Sequence, residues 1–129
     1  MARLILDSGA VIALAAGQAR ARAFVERAVR EGDPVVIPAV VVAETTRGGP
    51  RDARVNRVIK AAGGVAPATE AIARQAGRLL AAAALANAAV DALIVAEAAL
   101  GGPAILLTGD LADLSALAAG HPHIRIHGI

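Results

Sequence analysis

Two carboxylates of this 129-residue chain follow segments that are typical of buried β-strands. Asp7 comes directly after the apolar run Leu4–Leu6, and Asp110 follows Ala104–Leu107 across a Thr-Gly pair. The carboxyl ends of parallel strands lie along one edge of a sheet, where α/β folds bind ligands. We therefore expect Asp7 and Asp110 on that edge, although each would serve equally well to cap the helix that follows it.

Further carboxylates lie in helix-like segments. Asp91 stands among valine, leucine and isoleucine, where a buried charge is costly unless it binds something. Glu44 ends the apolar run VVIPAVVVA, and its alternative is simply to reach solvent. Asp113 falls in the first turn of a predicted helix, where a negative charge already favours the helix dipole.

Together these acids predict one acidic pocket. Like charges that are packed together are unstable unless cations neutralise them. Oxygen ligands without cysteine, and without an obligatory histidine, select Mg²⁺ or Mn²⁺. The chemistry that such a site performs best is phosphodiester hydrolysis, in which the ions activate water and stabilise charge on the attacked phosphate.

The elements that must position these acids alternate along the chain. Strands are predicted at Leu4–Leu6, at Val35–Ile37, near Val65, at Ala104–Leu107 and, as an edge strand, at His123–His127. Helices are predicted at Gly9–Ala16, Ala19–Glu31, Ala39–Arg47, Arg51–Ala62, Thr69–Leu85, Val90–Leu100 and Leu111–Ala119. The alternation predicts an α/β fold in three layers, a mostly parallel central sheet flanked by helices, in a single domain over residues 1–129.

Composition excludes several classes of protein. With no cysteine, the chain has no disulfide, thiolate nucleophile or cysteine-ligated zinc site, and a reducing cytoplasm is its expected location. Phe24 is its only aromatic residue, which argues against base stacking on aromatic rings. The longest uncharged runs have about a dozen residues, against the roughly 20 that a membrane span needs, so no membrane association is expected.

Basic residues are unevenly distributed, although the net charge is only +2. They crowd the first two thirds of the chain, and Arg125 is the only one after Arg78. Basic helices beside an acidic pocket suit a polyanion that is held electrostatically while metal ions act in the pocket. An arginine-rich, solvated surface is an equally good interpretation of the charge pattern alone.

Four blocks of sequence resemble the PIN-domain nucleases over essentially the whole chain, and in particular the VapC-type toxins of type II toxin–antitoxin pairs. The blocks are LILDSGAVIAL around Asp7, PAVVVAETTRG around Glu44, VDALIVAEA around Asp91, and LLTGDLADLSALA around Asp110 and Asp113. Their order and spacing agree with the family, so the resemblance implies a PIN-like fold.

The resemblance also implies roles for individual residues. An acidic quartet would hold Mg²⁺ or Mn²⁺ and form the catalytic site: Asp7, Glu44, Asp91 and Asp110. Asp113 would be an auxiliary acidic ligand, and Ser8 and Thr108 would support the site through hydrogen bonds. Arg47, one turn after Glu44, would contact the scissile phosphate or hold Glu44 in place, with a plain surface arginine as the alternative.

The implied activity is that of a metal-dependent endoribonuclease. Water would attack the RNA phosphodiester in line and leave a 5′-phosphate and a 3′-hydroxyl. The implied partners are an RNA substrate, a small cognate antitoxin whose C-terminal segment covers the acidic groove, and a second copy of the chain in a homodimer.

Other interpretations remain open at this stage. The segment LANAAV before Asp91 has Asn87 and Ala88 where many relatives have an extra acid or hydroxyl, so a non-catalytic module that binds RNA or a protein is the main alternative. A phosphatase with Asp7 as nucleophile is disfavoured, because it would need a second aspartate where Gly9 stands. The three histidines are clustered near the C-terminus, away from the four blocks, and are expected to be structural.

Overall fold

Five short strands, all parallel, form the centre of the protein in the computed structural model, which describes residues 2–129. They are β1 (Arg3–Leu6), β2 (Val35–Pro38), β3 (Val65–Ala66), β4 (Ala104–Thr108) and β5 (Ile124–Gly128). The order across the sheet is β3-β2-β1-β4-β5, with β5 at one edge. The chain therefore reverses direction across the sheet between β1 and β4, which is where open α/β sheets form a ligand-binding crevice.

Seven α-helices flank this sheet, which confirms the predicted α/β architecture. They are α1 (Ser8–Ala15), α2 (Ala19–Glu31), α3 (Ala39–Thr45), α4 (Ala53–Ala61), α5 (Glu70–Ala83), α6 (Ala89–Ala99) and α7 (Leu111–Leu117). A short 3₁₀ turn, Pro50–Asp52, leads into α4. Helices α1, α2, α3, α6 and α7 contact the strands, whereas α4 packs mainly on α1 and α5 packs mainly on α6.

The core lies along β1, β4 and α6. Ile5, Leu106 and Leu107 are fully buried in the two central strands. Helix α6 is enclosed between the sheet and α5, and its buried alanines at 92, 96 and 98 let the neighbouring elements approach closely. Apart from Asp91 and Glu97 the sequence of α6 is apolar, so these two carboxylates lie on a helix without a broad solvent face.

Helix α3 ends two residues earlier than the sequence predicts, at Thr45 rather than Arg47. The hydroxyls of Thr45 and Thr46 donate to the carbonyls four residues earlier, and Thr46 is extended. The backbone N–H of Arg47 donates to the Asp52 carboxylate instead of continuing the helix. Side-chain hydrogen bonds of this kind compete with the helical pattern and end it.

No helix within residues 2–129 combines the length and the apolar character that crossing a lipid bilayer requires.

Candidate metal centre

Asp7 stands directly after β1 and is fixed by two backbone N–H groups. Its Oδ1 accepts from Ala10 N at 2.8 Å, which caps α1, and its Oδ2 accepts from Gly109 N at 3.2 Å. The residue is almost fully buried, with 6% of its surface exposed. Capping and a place in the pocket are therefore not alternatives for Asp7, because the same carboxylate does both.

The second of these N–H groups reaches Asp7 because two glycines meet. A Cβ on Gly9 would lie 2.9 Å from Gly109 Cα, too close for any real side chain. The start of α1 and the turn after β4 can therefore touch only if residue 9 has no Cβ. The two glycines lie 100 positions apart in the sequence, so no local pattern predicts this contact.

Asp110 follows β4 with only Gly109 between them. The buried Thr108 hydroxyl accepts from Asp110 N at 2.7 Å and so shapes the turn. Although Asp110 occupies the N-cap position of α7, its side chain makes no capping hydrogen bond. The capping interpretation thus fails for Asp110, and its exposed carboxylate is available for another role.

Three carboxylates approach one another closely. One oxygen from each of Asp91, Asp110 and Asp113 lies within 4.8 Å of the other two. Asp91 is in the first turn of α6 and Asp113 in the first turn of α7, which packs against α6. Such a spacing brings oxygen donors close enough to share one small cation.

Glu44 approaches the group from α3. It is exposed, and the Ser8 hydroxyl donates a hydrogen bond to its Oε1. Because Ser8 is the first residue of α1 and Glu44 is near the end of α3, this bond ties the two helices together beside Asp7.

An open cleft of about 290 Å³ lies where these elements meet. All four acids of the predicted quartet line it, together with backbone and side-chain atoms of the surrounding turns: Asp7, Glu44, Asp91, Asp110, Ser8, Gly9, Ile94 and Gly109. The structure therefore brings together residues from four separate blocks of the sequence. Thr108 lies buried beneath this cleft, and Asp113 adjoins it through Asp91 and Asp110.

Burial and mutual repulsion shape the ionisation of these acids. Burial raises the pKa of Asp91, and the charges of the surrounding acids, led by Asp110 and Asp113, raise it further. Burial also raises the pKa of Asp7, against the opposing effect of Thr108 and the two N–H donors. A cleft that disfavours its own negative charges is one that a bound cation would stabilise.

Arg47 lies outside the cleft. Its guanidinium donates to the backbone carbonyls of Ala43, Glu44 and Thr46, at 3.3, 3.3 and 2.7 Å. In this conformation it closes the last turn of α3 and does not touch the Glu44 carboxylate. Contact with a phosphate would require the side chain to leave these carbonyls.

One buried acid near the site escaped the sequence analysis. Asp52 accepts from the backbone N–H groups of Arg47 (2.9 and 3.0 Å) and Gly48 (2.7 Å), and so holds the loop after α3. It is only 7% exposed. An aspartate shortly after a Gly-Gly-Pro turn is typical of such a loop bond, but Asp52, with Arg51 before it and Arg54 two positions after it, resembles any surface acid in the sequence.

The histidines do not line the cleft. His127 packs against Phe24, with ring centroids 5.1 Å apart, and His121 and His123 adjoin each other at 5.9 Å. His123 Nε2 lies 3.2 Å from the carbonyl of Ala99, at the opposite end of α6 from Asp91.

Comparison with known proteins defines the class. The family model of the PIN domain matches residues 4–119, so the chain belongs to the PIN domain family. The resemblance drawn from the four sequence blocks is thereby confirmed at the level of the family. No curated protein sequence matches the chain.

Solved structures share the fold. A chain of VapBC2 from Rickettsia felis, bound to a promoter DNA fragment, is 13% identical with a TM-score of 0.74, and 98% of each chain is covered. A chain of DNA-bound VapBC from Salmonella typhimurium is 18% identical with a TM-score of 0.71, and 99% of this chain and 98% of that chain are covered. A chain of a toxin-antitoxin complex from Klebsiella pneumoniae is 22% identical with a TM-score of 0.66, and 94% of each chain is covered. At these identities the likeness establishes the architecture alone.

Proposed function

We propose that this PIN domain is a Mg²⁺- or Mn²⁺-dependent endoribonuclease and the toxin of a VapC-type toxin–antitoxin pair. The observation that carries the proposal is the convergence of Asp7, Glu44, Asp91 and Asp110 on one open cleft. The cleft lies at the carboxyl ends of β1 and β4, where the fold places ligands.

The residues of the cleft fit a hard divalent cation. They offer carboxylate oxygens without sulfur or imidazole, and three of these oxygens lie within 4.8 Å of one another. Asp91, Asp110 and Asp113 would hold the ion most directly, with Asp7 and Glu44 completing the acidic wall. A bound ion would supply activation of water and stabilisation of charge on the phosphate.

The chain's own side chains would keep this wall in place. Asp7 is held by two N–H groups, and Ser8 directs Glu44 towards the cleft. Thr108 orients the turn that presents Asp110. In the proposed reaction the oxygen of water bonds to phosphorus, the bond from phosphorus to O3′ breaks, and O3′ takes a proton, which leaves a 5′-phosphate and a 3′-hydroxyl.

RNA is the proposed substrate because the surface favours backbone contacts. Exposed arginines are plentiful and Phe24 is the only aromatic residue, so binding would depend on charge and RNA shape. The absence of cysteine suits a cytoplasmic location. Residues 1–129 would form a single domain.

A protein partner is also proposed. One structural neighbour is described as a toxin-antitoxin complex and two as VapBC or VapBC2 bound to DNA, which supports a cognate antitoxin whose C-terminal segment would cover the acidic cleft. Within residues 2–129, four large apolar residues are half or more exposed, which supports burial against the antitoxin or in a homodimer: Ile12, Val29, Leu100 and Leu111.

Cleavage of labelled RNA by the purified protein tests the activity. We expect cleavage in Mg²⁺ or Mn²⁺, none in EDTA, and loss of at least about two orders of magnitude in Asp91→Asn. Glu26→Gln, which removes an exposed acid on α2, is the matched control and should retain full activity. Equal cleavage by Asp91→Asn and the native protein would contradict the proposal.

The non-catalytic module stays the second candidate. Ala88 occupies the N-cap of α6 and offers no side-chain bond, so the start of this helix has no acid or hydroxyl besides Asp91. Binding of Mn²⁺ and RNA with no cleavage product in either metal would favour this function over the nuclease.

A further inference from the structure

Helix α4 and the turn before it present four cations to solvent. Arg51, Arg54, Arg57 and Lys60 are all exposed and recur every three residues; we call them the α4 basic face. No acid occurs within α4 itself. Among residues 2–129 the ion pairs are Arg27–Glu31 and Arg74–Glu70, so none of these four cations is neutralised by such a pair.

The orientation of α4 is fixed by its opposite side. Val55, Val58 and Ile59 are partly buried and pack against the hydrophobic core, and α4 contacts α1. The amphipathic pattern therefore holds the cations outward.

A short loop connects this face to α3, whose Glu44 lines the acidic cleft. Asp52, directly before α4, binds the backbone N–H groups of Arg47 and Gly48, which fastens the start of α4 to the loop after α3. Glu44, three residues before Arg47, lines the cleft and is bonded to Ser8 of α1. From that point the 9 residues of α4 extend about 13 Å.

We propose that the α4 basic face binds the phosphates of an RNA strand as it leaves the cleft, an inference that rests on the proposed nuclease function. Guanidinium groups pair with phosphate oxygens in two-pronged hydrogen bonds, and such contacts are independent of sequence. One RNA strand would then contact both the cleft and the α4 basic face, because its phosphates would meet the cation of the cleft and the arginines of α4. An acidic protein segment would instead meet the carboxylates of the cleft.

Helix α2 makes a weaker candidate for this role. Its arginines alternate with Glu26 and Glu31, and Arg27 is already paired with Glu31. Helix α5 provides the matched control: Arg74 bonds to Glu70 and Arg78 bonds to Gln75. Both helices lose the same charge when two arginines are replaced by glutamine.

Fluorescence anisotropy tests the proposal, with a labelled single-stranded RNA of mixed sequence in EDTA over a series of NaCl concentrations. For Arg54→Gln with Arg57→Gln, we expect binding about tenfold weaker. The slope of log affinity against log salt should fall by about 1.4, because about 0.7 is lost for each phosphate contact on a single strand. The control pair Arg74→Gln with Arg78→Gln should bind as the native protein does.

Equal weakening by the two pairs, no weakening by either, or no RNA binding by the native protein would overturn the proposal. So would a result in which the α4 pair keeps its RNA affinity but loses an acidic protein partner. If the α4 pair alone weakens binding while no metal supports cleavage, the nuclease function fails and the RNA surface stands. Thermal unfolding of both pairs verifies that the exposed substitutions leave the fold intact.

Discussion

The two ends of α6 are built in opposite ways. At its start, Ala88 provides no side-chain cap, and the Asp91 carboxylate faces those of Asp110 and Asp113 within 4.8 Å. At its end, the Arg3 guanidinium donates to the carbonyls of Glu97 and Ala98, both at 3.1 Å, and to Gly102 at 3.0 Å.

The difference separates stability from function. The last carbonyls of a helix lack partners within the helix, and a cation there satisfies them and complements the helix dipole. At the first turn, by contrast, burial raises the pKa of Asp91, and the neighbouring negative charges of Asp110 and Asp113 raise it further. We infer that the Arg3 end stabilises the fold, whereas the Asp91 end is left unsatisfied for a cation.

The largest expected effect is on activity at the acidic end. Asp110→Asn should lower RNA cleavage by at least about a hundredfold, because it removes a proposed oxygen ligand. Its thermal midpoint in EDTA should not fall, since the Asp110 side chain caps nothing. Initial rates and unfolding curves measure the two effects. A large loss of stability would mean that Asp110 is structural and would erase the contrast with Arg3.

The next effect concerns the contact that assembles the acidic end. Gly9→Ala should cost about 2–3 kcal/mol of unfolding free energy, because the new Cβ would meet the backbone of Gly109 at 2.9 Å. Urea unfolding measures the loss. Gly120→Ala is the control, since a Cβ there meets no other group within 4 Å. An unchanged stability of Gly9→Ala would show that the two turns separate at little cost.

At the other end of α6, Arg3→Gln should cost about 1.5–2 kcal/mol, because it removes charge-assisted hydrogen bonds to helix carbonyls. Activity per folded molecule should stay close to that of the native protein below the unfolding transition. Arg125→Gln, at an exposed position on β5, is the control with the same loss of charge. If Arg3→Gln abolished cleavage without loss of stability, the division between the two ends would be wrong.

The smallest effect is a pH dependence in the absence of metal. Asp7 and Asp91 have raised pKa values in the folded protein, so the folded state binds protons more readily than the unfolded chain. Their destabilising contribution is fully present at neutral pH and should be relieved as pH falls through the raised values towards the ordinary 3.8. Urea midpoints in EDTA should therefore rise on mild acidification, less so in Asp91→Asn. A urea midpoint that falls steadily as the pH is lowered, equally in the native protein and in Asp91→Asn, would contradict this.

Much of the acidic end was predictable from local pattern. Apolar runs that end at Asp7 and near Asp110 predict parallel strands, and the topology of such sheets places their ends on one edge. Asp91 was conspicuous because it interrupts an apolar helix. The adjacency of β1 and β4 needed the fold itself, since nothing local states which strands pair.

The remaining features depend on contacts between distant residues. Arg3 finds its carbonyl acceptors 94 to 99 positions away, and Gly109 N reaches Asp7 across 102 positions. Early termination of α3 follows from Asp52, which competes for the N–H of Arg47 from five residues further on. Propensity and periodicity describe neither the long-range contacts of Arg3 and Asp7 nor the local bond of Asp52, because each depends on a side chain that pairs with one particular backbone group.

The most direct test of the central claim is to express the protein alone in a bacterial host and to sequence the new 5′ ends of total RNA. Native protein should arrest growth and produce discrete 5′-phosphate ends, while equally abundant, folded Asp91→Asn should do neither. Cuts that persist unchanged in Asp91→Asn, or a folded native protein that produces no new ends, would contradict the assignment of the acidic cleft as a nuclease site.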